Sequence, residues 1–107
     1  MDTTQLESAY EAEITAALST AAEKYGYSDD HFSAKLAAMG AMMAGLSVAS
    51  KEAPSAMLLF MKDKGESGLS VEAITVKDLY KSLFPEEILE LCRTKLADAG
   101  FVPPAGW

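Results

Sequence analysis

The stretch that decides the fold is KLAAMGAMMAGLSVAS, Lys35–Ser50, because none of the fifteen residues after the lysine carries a charge. In the whole chain of 107 residues, 23% are charged. Such a run can be a membrane span, a self-association surface or the middle of a helical core. A span needs about 20 predominantly apolar residues, and several residues here are alanine, glycine or serine. We therefore predict no membrane span and expect the run to pack against protein.

A helix over residues 29–50, projected at about 100° per residue, has two opposed apolar faces. Large side chains form one face: Phe32, Leu36, Met39, Met43 and Leu46. Small residues form the other: Ala34, Ala38, Ala41, Gly45 and Val48. Large side chains fill holes in one neighbouring helix, and small ones let a second helix approach closely. We predict a central, nearly fully buried second helix. Alternatively, one face packs against a second copy of the chain in a homodimer.

Capping residues, prolines and glycines divide the rest of the chain into helices. The expected helices are 4–25, capped by Thr4 and ended by Gly26; 29–50, capped by Ser28; 54–64, opened by Pro54; 76–83, capped by Thr75; and a fifth from Pro85 to just before Gly100. LSVEAI, residues 69–74, alternates apolar and polar residues but has no second strand-like run to pair with. We expect an extended connection or an early helical turn there. The prediction is an all-α, single-domain bundle of about five helices over residues 1–100, followed by an extended, proline-rich tail over 101–107.

The charge of the chain is concentrated at its N-terminal end. The net charge is −7, and the first 30 residues contain seven acidic residues and one basic residue. Such a field repels nucleic acid and attracts basic protein surfaces. We therefore expect a protein partner with a basic surface and no direct nucleic-acid binding. Five methionines lie in the second and third helices, where they fill the core or, alternatively, line a groove for a partner helix: Met39, Met42, Met43, Met57 and Met61. Met42 lies off the large apolar face and is expected to be exposed. The candidate partner-binding residues are Glu7, Glu11, Asp29, Asp30, Met42, Phe101 and Trp107.

The residues needed for catalysis are scarce. His31 is the only histidine and Cys92 the only cysteine, which excludes an intrachain disulfide and the usual zinc sites. His31 is expected on the surface, and Cys92 in the apolar stripe of the last helix as an inert thiol. No phosphate-binding or calcium-binding motif is present. We expect no enzyme activity, no metal and no cofactor. No targeting segment is visible, so a cytoplasmic location is expected.

Three functions are compatible with this pattern. The first is a non-enzymatic protein-protein interaction module, an adaptor or regulator with an acidic N-terminal surface. The second is a small acidic inhibitor of a basic or nucleic-acid-binding protein, of the kind that phages encode. The third is a homo-oligomeric structural subunit, in which the second helix or the aromatic tail contacts a neighbouring copy. Alternatively, the tail lies along its own bundle.

Overall fold

The computed structural model describes residues 2–107, and all regular structure in that range is helical, which confirms the all-α prediction. Five α-helices and two 3-10 segments lie in this range. The α-helices are α1 (Thr3–Tyr25), α2 (Asp30–Ala49), α3 (Ala56–Lys62), α4 (Val71–Thr75) and α5 (Glu86–Asp98), and the 3-10 segments are Ser67–Leu69 and Asp78–Leu83.

The helices begin and end at capping residues, although several of these caps lie one or two residues away from the predicted ones. At the start of α1, Asp2 and Gln5 form the capping box that we expected at Thr4 and Glu7. Asp29, instead of Ser28, caps α2, and Ser55, just after Pro54, caps α3. Gly26 ends α1 with a φ of 66°, as predicted, since glycine adopts this left-handed conformation without steric cost.

Helix α2 is sharply bent at Gly40, where φ is 81° and ψ is 166°. Residues 35 and 47 would lie about 18 Å apart along a straight helix. In the structure Lys35 Nζ donates a hydrogen bond to Ser47 Oγ at 3.0 Å. The chain therefore turns sharply at Gly40, which brings the two arms of α2, residues 30–39 and 41–49, within reach of each other's side chains.

The prediction that the second helix is nearly fully buried is wrong. The buried residues of α2 are Phe32, Ala41, Ala44, Gly45 and Ala49. Met39 and Met43 are 45% and 56% exposed, whereas Met42, which we expected to be exposed, is half-buried. The physical reason is the bend, because a projection at constant angle does not continue through a non-helical residue.

The second arm keeps the expected close packing on its small face. A Cβ atom at Gly45 would overlap Tyr10 Oη and lie 2.9 Å from Tyr10 Cε2. Tyr10 is fully buried and its hydroxyl lies 2.8 Å from Thr75 Oγ1. The absence of a side chain at Gly45 therefore lets α1 bring a buried tyrosine against α2.

The centre of the molecule is the short helix α4. Every residue from Val71 to Val76 is buried, and α4 contacts α1, α2, α3 and α5. Of the two expectations for LSVEAI, the extended connection is wrong and the helical turn is confirmed. Ser70 caps α4 by accepting the Ala73 N–H at 3.2 Å. Thr75 is the last residue of α4, so the helix predicted from Thr75 onward begins later, as the 3-10 segment at Asp78.

A carboxylate and an ammonium group are buried together between α4 and α5. Glu72 is fully buried and Lys95 is 3% exposed, and Lys95 Nζ lies 3.7 Å from Glu72 Oε2. Glu72 also accepts hydrogen bonds from Ser55 N–H and Ser55 Oγ, both at 2.7 Å. Lys95 donates to the carbonyls of Val48 and Ala49 at 3.2 and 3.3 Å. These contacts join the start of α3, the end of α2, α4 and α5.

We predict that Gly40→Ala destabilises the protein by about 1–3 kcal/mol, because a non-glycine residue is strained at this φ and ψ. In a straight exposed helix the same change would stabilise by about 1 kcal/mol, so the sign of the effect tests the bend. Urea unfolding measures it. Ala38→Gly, at an exposed position in the same helix, is the control for helix propensity alone. A stabilised Gly40→Ala variant would contradict the bend.

We predict that Glu72→Gln and Lys95→Met each cost about 3–5 kcal/mol, because each leaves the other charge buried without its partner. The double variant should lose less stability than the sum of the two single losses, by at least about 0.5 kcal/mol. Urea unfolding of all four proteins gives this coupling. Glu86→Gln, which removes the exposed ion pair with Arg93, should cost less than about 1 kcal/mol. Additive losses at Glu72 and Lys95 would show that the pair is not coupled.

Candidate functional site

The first turns of α1 and the bend of α2 border an open depression of about 290 Å³. We call it the N-terminal groove. Its residues combine acidic, small and methionine side chains: Thr4, Glu7, Ser8, Glu11, Met39, Gly40, Ala41 and Met42. Three of the predicted partner-binding residues, Glu7, Glu11 and Met42, are therefore brought together by the fold.

The two glutamates of the N-terminal groove are exposed and project from one side of α1, since they are four residues apart. Neither forms an ion pair with any residue in 2–107. By contrast Glu13, further along α1, pairs with Lys77 at 2.8 Å and accepts a hydrogen bond from Tyr80 at 2.6 Å. The groove therefore has negative charge that the described part of the chain does not neutralise.

Two methionines near the bend of α2 are about half exposed. Met39 lines the groove, and Met43 lies four residues later in the chain, outside the residues that line it. Methionine is flexible and polarisable, and is common on surfaces that adapt to different partners. The structure therefore places the exposed Met39 in the same groove as two carboxylates that form no ion pair within residues 2–107. The sequence predicts Met39 and Met43 either in the core or in a groove for a partner helix, and their exposure of 45% and 56% shows that complete burial in the core is wrong.

The other two predicted acidic residues lie outside the groove. Asp29 caps α2 by accepting the Phe32 N–H at 3.0 Å and accepts the Tyr27 hydroxyl at 2.7 Å. Asp30 is exposed in the first turn of α2, where negative charge is favoured by the helix dipole. Both carboxylates have a local role at the start of the helix.

The aromatic residues of the tail pack against their own chain. Trp107 Nε1 donates a hydrogen bond to the Ala73 carbonyl at 2.6 Å. The rings of Trp107 and Phe101 pack edge to face, with their centres 5.5 Å apart. Lys77 Nζ lies 4.5 Å from the centre of the indole ring. The two aromatics border a depression of about 470 Å³ together with Glu13 and Lys77. Glu13 and Lys77 pair with each other, and Glu66, which also lines the depression, pairs with Lys24. The depression is therefore a poorer candidate than the N-terminal groove.

The groups considered for catalysis are not assembled into a reactive site. His31 is exposed, and Cys92 is fully buried. Burial raises the pKa of the Cys92 thiol to about 11, which disfavours the reactive thiolate. Among residues 2–107, no three His, Cys, Asp or Glu side chains are grouped so that they could hold a metal ion.

Comparisons with protein-family models, with curated proteins and with solved structures gave no match for this chain.

One helix among residues 2–107, α2, is long and apolar enough to cross a membrane when judged by length and composition. The mean hydropathy of its most apolar window is 1.4, and 28% of that window is buried. A single such helix is weak evidence for a membrane, because core helices of other proteins pass the same test.

We predict that Trp107→Ala destabilises the protein by about 2 kcal/mol, roughly half the cost of removing a fully buried tryptophan, because Trp107 is half-buried. Thermal or urea unfolding measures the loss. Val102→Ala, at a tail position that is 81% exposed, should change stability by less than about 0.5 kcal/mol. Equal stability of both variants would mean that the tail is free to contact another molecule.

Proposed function

We propose that the protein is a non-enzymatic protein-protein interaction module that binds a basic amphipathic helix of a partner protein in the N-terminal groove. The observation that carries the proposal is the exposed Met39 in one groove with Glu7 and Glu11, which form no ion pair within residues 2–107. Met43, four residues further along the chain, is 56% exposed. The methionines would contact the apolar face of such a helix, and the carboxylates would contact its basic residues.

The apolar half of the surface supports a helical partner. Amphipathic helices bind by placing an apolar face, repeated every three to four residues, into an apolar groove. Here the bend of α2 presents two methionines that remain half-exposed in the folded chain. Covering them with apolar side chains removes that surface from water, at about 25 cal/mol per Å².

The charged half supports a basic partner. Glu7 and Glu11 belong to the N-terminal 30 residues, which carry most of the net negative charge of the chain. Lysine or arginine residues along the flank of a bound helix would neutralise them. Complementary charge of this kind increases the rate of association and discriminates among partners. It also disfavours an acidic peptide, nucleic acid or an anionic lipid surface as the ligand.

The test uses a fluorescently labelled helical peptide of leucine and lysine, about 18 residues or five turns long, with all leucines on one face. We expect binding, measured by anisotropy, that weakens as salt increases. Met39→Glu/Met43→Glu should lower the affinity at least about tenfold, which is 1.4 kcal/mol. Glu7→Lys/Glu11→Lys should lower it mainly at low salt.

Matched variants elsewhere control for hydrophobicity and charge. Leu79→Glu changes a leucine that is 47% exposed, and Glu23→Lys/Glu87→Lys reverses two other exposed carboxylates. Both should bind the peptide like the unmodified protein. Equal binding of a scrambled peptide of the same composition would overturn the proposal. So would a homodimer, seen by light scattering, that Met39→Glu/Met43→Glu dissociates, or binding of phosphatidylcholine vesicles that depends on the same methionines.

A further inference from the structure

A second site lies between the two arms of α2, away from the N-terminal groove. It is a cavity of about 210 Å³ bordered by both arms, the connection to α3 and the start of α4. An apolar cavity of about 150 Å³ accommodates benzene, so this cavity has room for a small organic molecule. Its interior is apolar and is formed by Phe32, Val48, Pro54, Met57 and Val71. Phe32, Met57 and Val71 are at most 5% exposed, so this wall is part of the core.

The mouth of the cavity is cationic, although the protein as a whole is acidic. Lys35 borders it from the first arm, Lys51 from the connection that follows the second arm, and His31 also lines it. The pKa of Lys35 is lower than its ordinary value, chiefly because the side chain of Lys51 lies next to it. Among residues 2–107, neither lysine forms an ion pair with a carboxylate. The cavity is therefore bordered by two ammonium groups that pair with no carboxylate of residues 2–107.

One carboxylate, Asp29, also borders the cavity, and its charge raises the pKa of Lys35, but this effect is smaller than that of Lys51 and Asp29 forms no ion pair with either lysine. Both oxygens of Asp29 accept hydrogen bonds, one from the Phe32 N–H and one from the Tyr27 hydroxyl. Lys35 donates to Ser47 Oγ, which is uncharged. A ligand with one negative charge would lie between the two ammonium groups and reduce their mutual repulsion.

We propose that this cavity binds a small amphipathic carboxylic acid, with its apolar body against the buried wall and its carboxylate between Lys35 and Lys51. This inference goes beyond the proposed function, because it concerns a different surface and a small molecule. The room available matches an aromatic or medium-chain aliphatic acid, since ligand pockets enclose most of the surface of the molecules they bind. The two lysines select the charge of the ligand and the wall selects its apolar body.

The test is a titration of the isotope-labelled protein with octanoate, followed by two-dimensional amide NMR. We expect saturable shifts confined to residues around the cavity, including Lys35, Val48 and Lys51. Octylamine, which has the same chain and the opposite charge, should bind at least about tenfold more weakly, a difference of 1.4 kcal/mol. Inorganic phosphate, which lacks an apolar body, should cause no saturable shift at these residues.

Variants separate the two parts of the site. Lys35→Met/Lys51→Met should weaken octanoate binding at least about tenfold, whereas Lys62→Met/Lys81→Met, at exposed lysines elsewhere, should leave it unchanged. Ala53→Trp adds a large side chain at an exposed position on the rim and should block binding. The same NMR spectra show that each variant is folded. Equal binding of octylamine, saturable binding of phosphate, shifts scattered over the surface, or unchanged binding by Lys35→Met/Lys51→Met would overturn the proposal.

Discussion

The buried ion pair between Glu72 and Lys95 is the constraint on which the rest of the structure depends. Removing two charges from water costs several kcal/mol per ion, and the cost is offset only when the geometry supplies further hydrogen bonds. Here Ser55 provides two donors to Glu72, and the last carbonyls of α2 accept from Lys95. The pair therefore requires α2, α3, α4 and α5 to meet in one arrangement, and a core that lacked any of these elements would leave a buried charge without a partner.

Local chemistry accounts for the part of the fold that the sequence predicted. The apolar stripe of α1, the left-handed Gly26, and the proline and glycine that flank α5 each depend on residues a few positions apart, so a single sequence contains the necessary information. Helix α4 is harder to predict from the sequence than the other helices because it is buried on all sides. Such a helix lacks the alternation of an apolar and a polar face that identifies a surface helix. Glu72 adds to the difficulty, since a carboxylate is fully buried only when distant residues such as Lys95 supply its partners.

Only part of the candidate site can be predicted from the sequence, because the groove is formed by residues of two helices. Charge and helical angle predict Glu7, Glu11 and Met42 as partner-binding residues, and the fold places all three around one groove. The helical projection places Met39 and Met43 on a face that packs in the core, because it assumes one continuous helix. For Phe101 and Trp107 the sequence allows contact with a partner or with their own bundle, and in the structure their contacts are to Gly68, Ala73 and Lys77. Those contacts join positions about thirty residues apart, which no local pattern encodes.

The two glycines of α2 are required for different physical reasons, which the sequence alone does not distinguish. Gly45 has helical geometry and is needed because Tyr10 occupies the space of a side chain. Gly40 has open space around it and is needed for its backbone angles. A straight α2 would be about 30 Å long, so Lys35 could not approach Lys51 and the methionines would not flank a turn. The bend at Gly40 therefore brings residues of both arms to the border of the cavity and leaves Met39 and Met43 about half exposed.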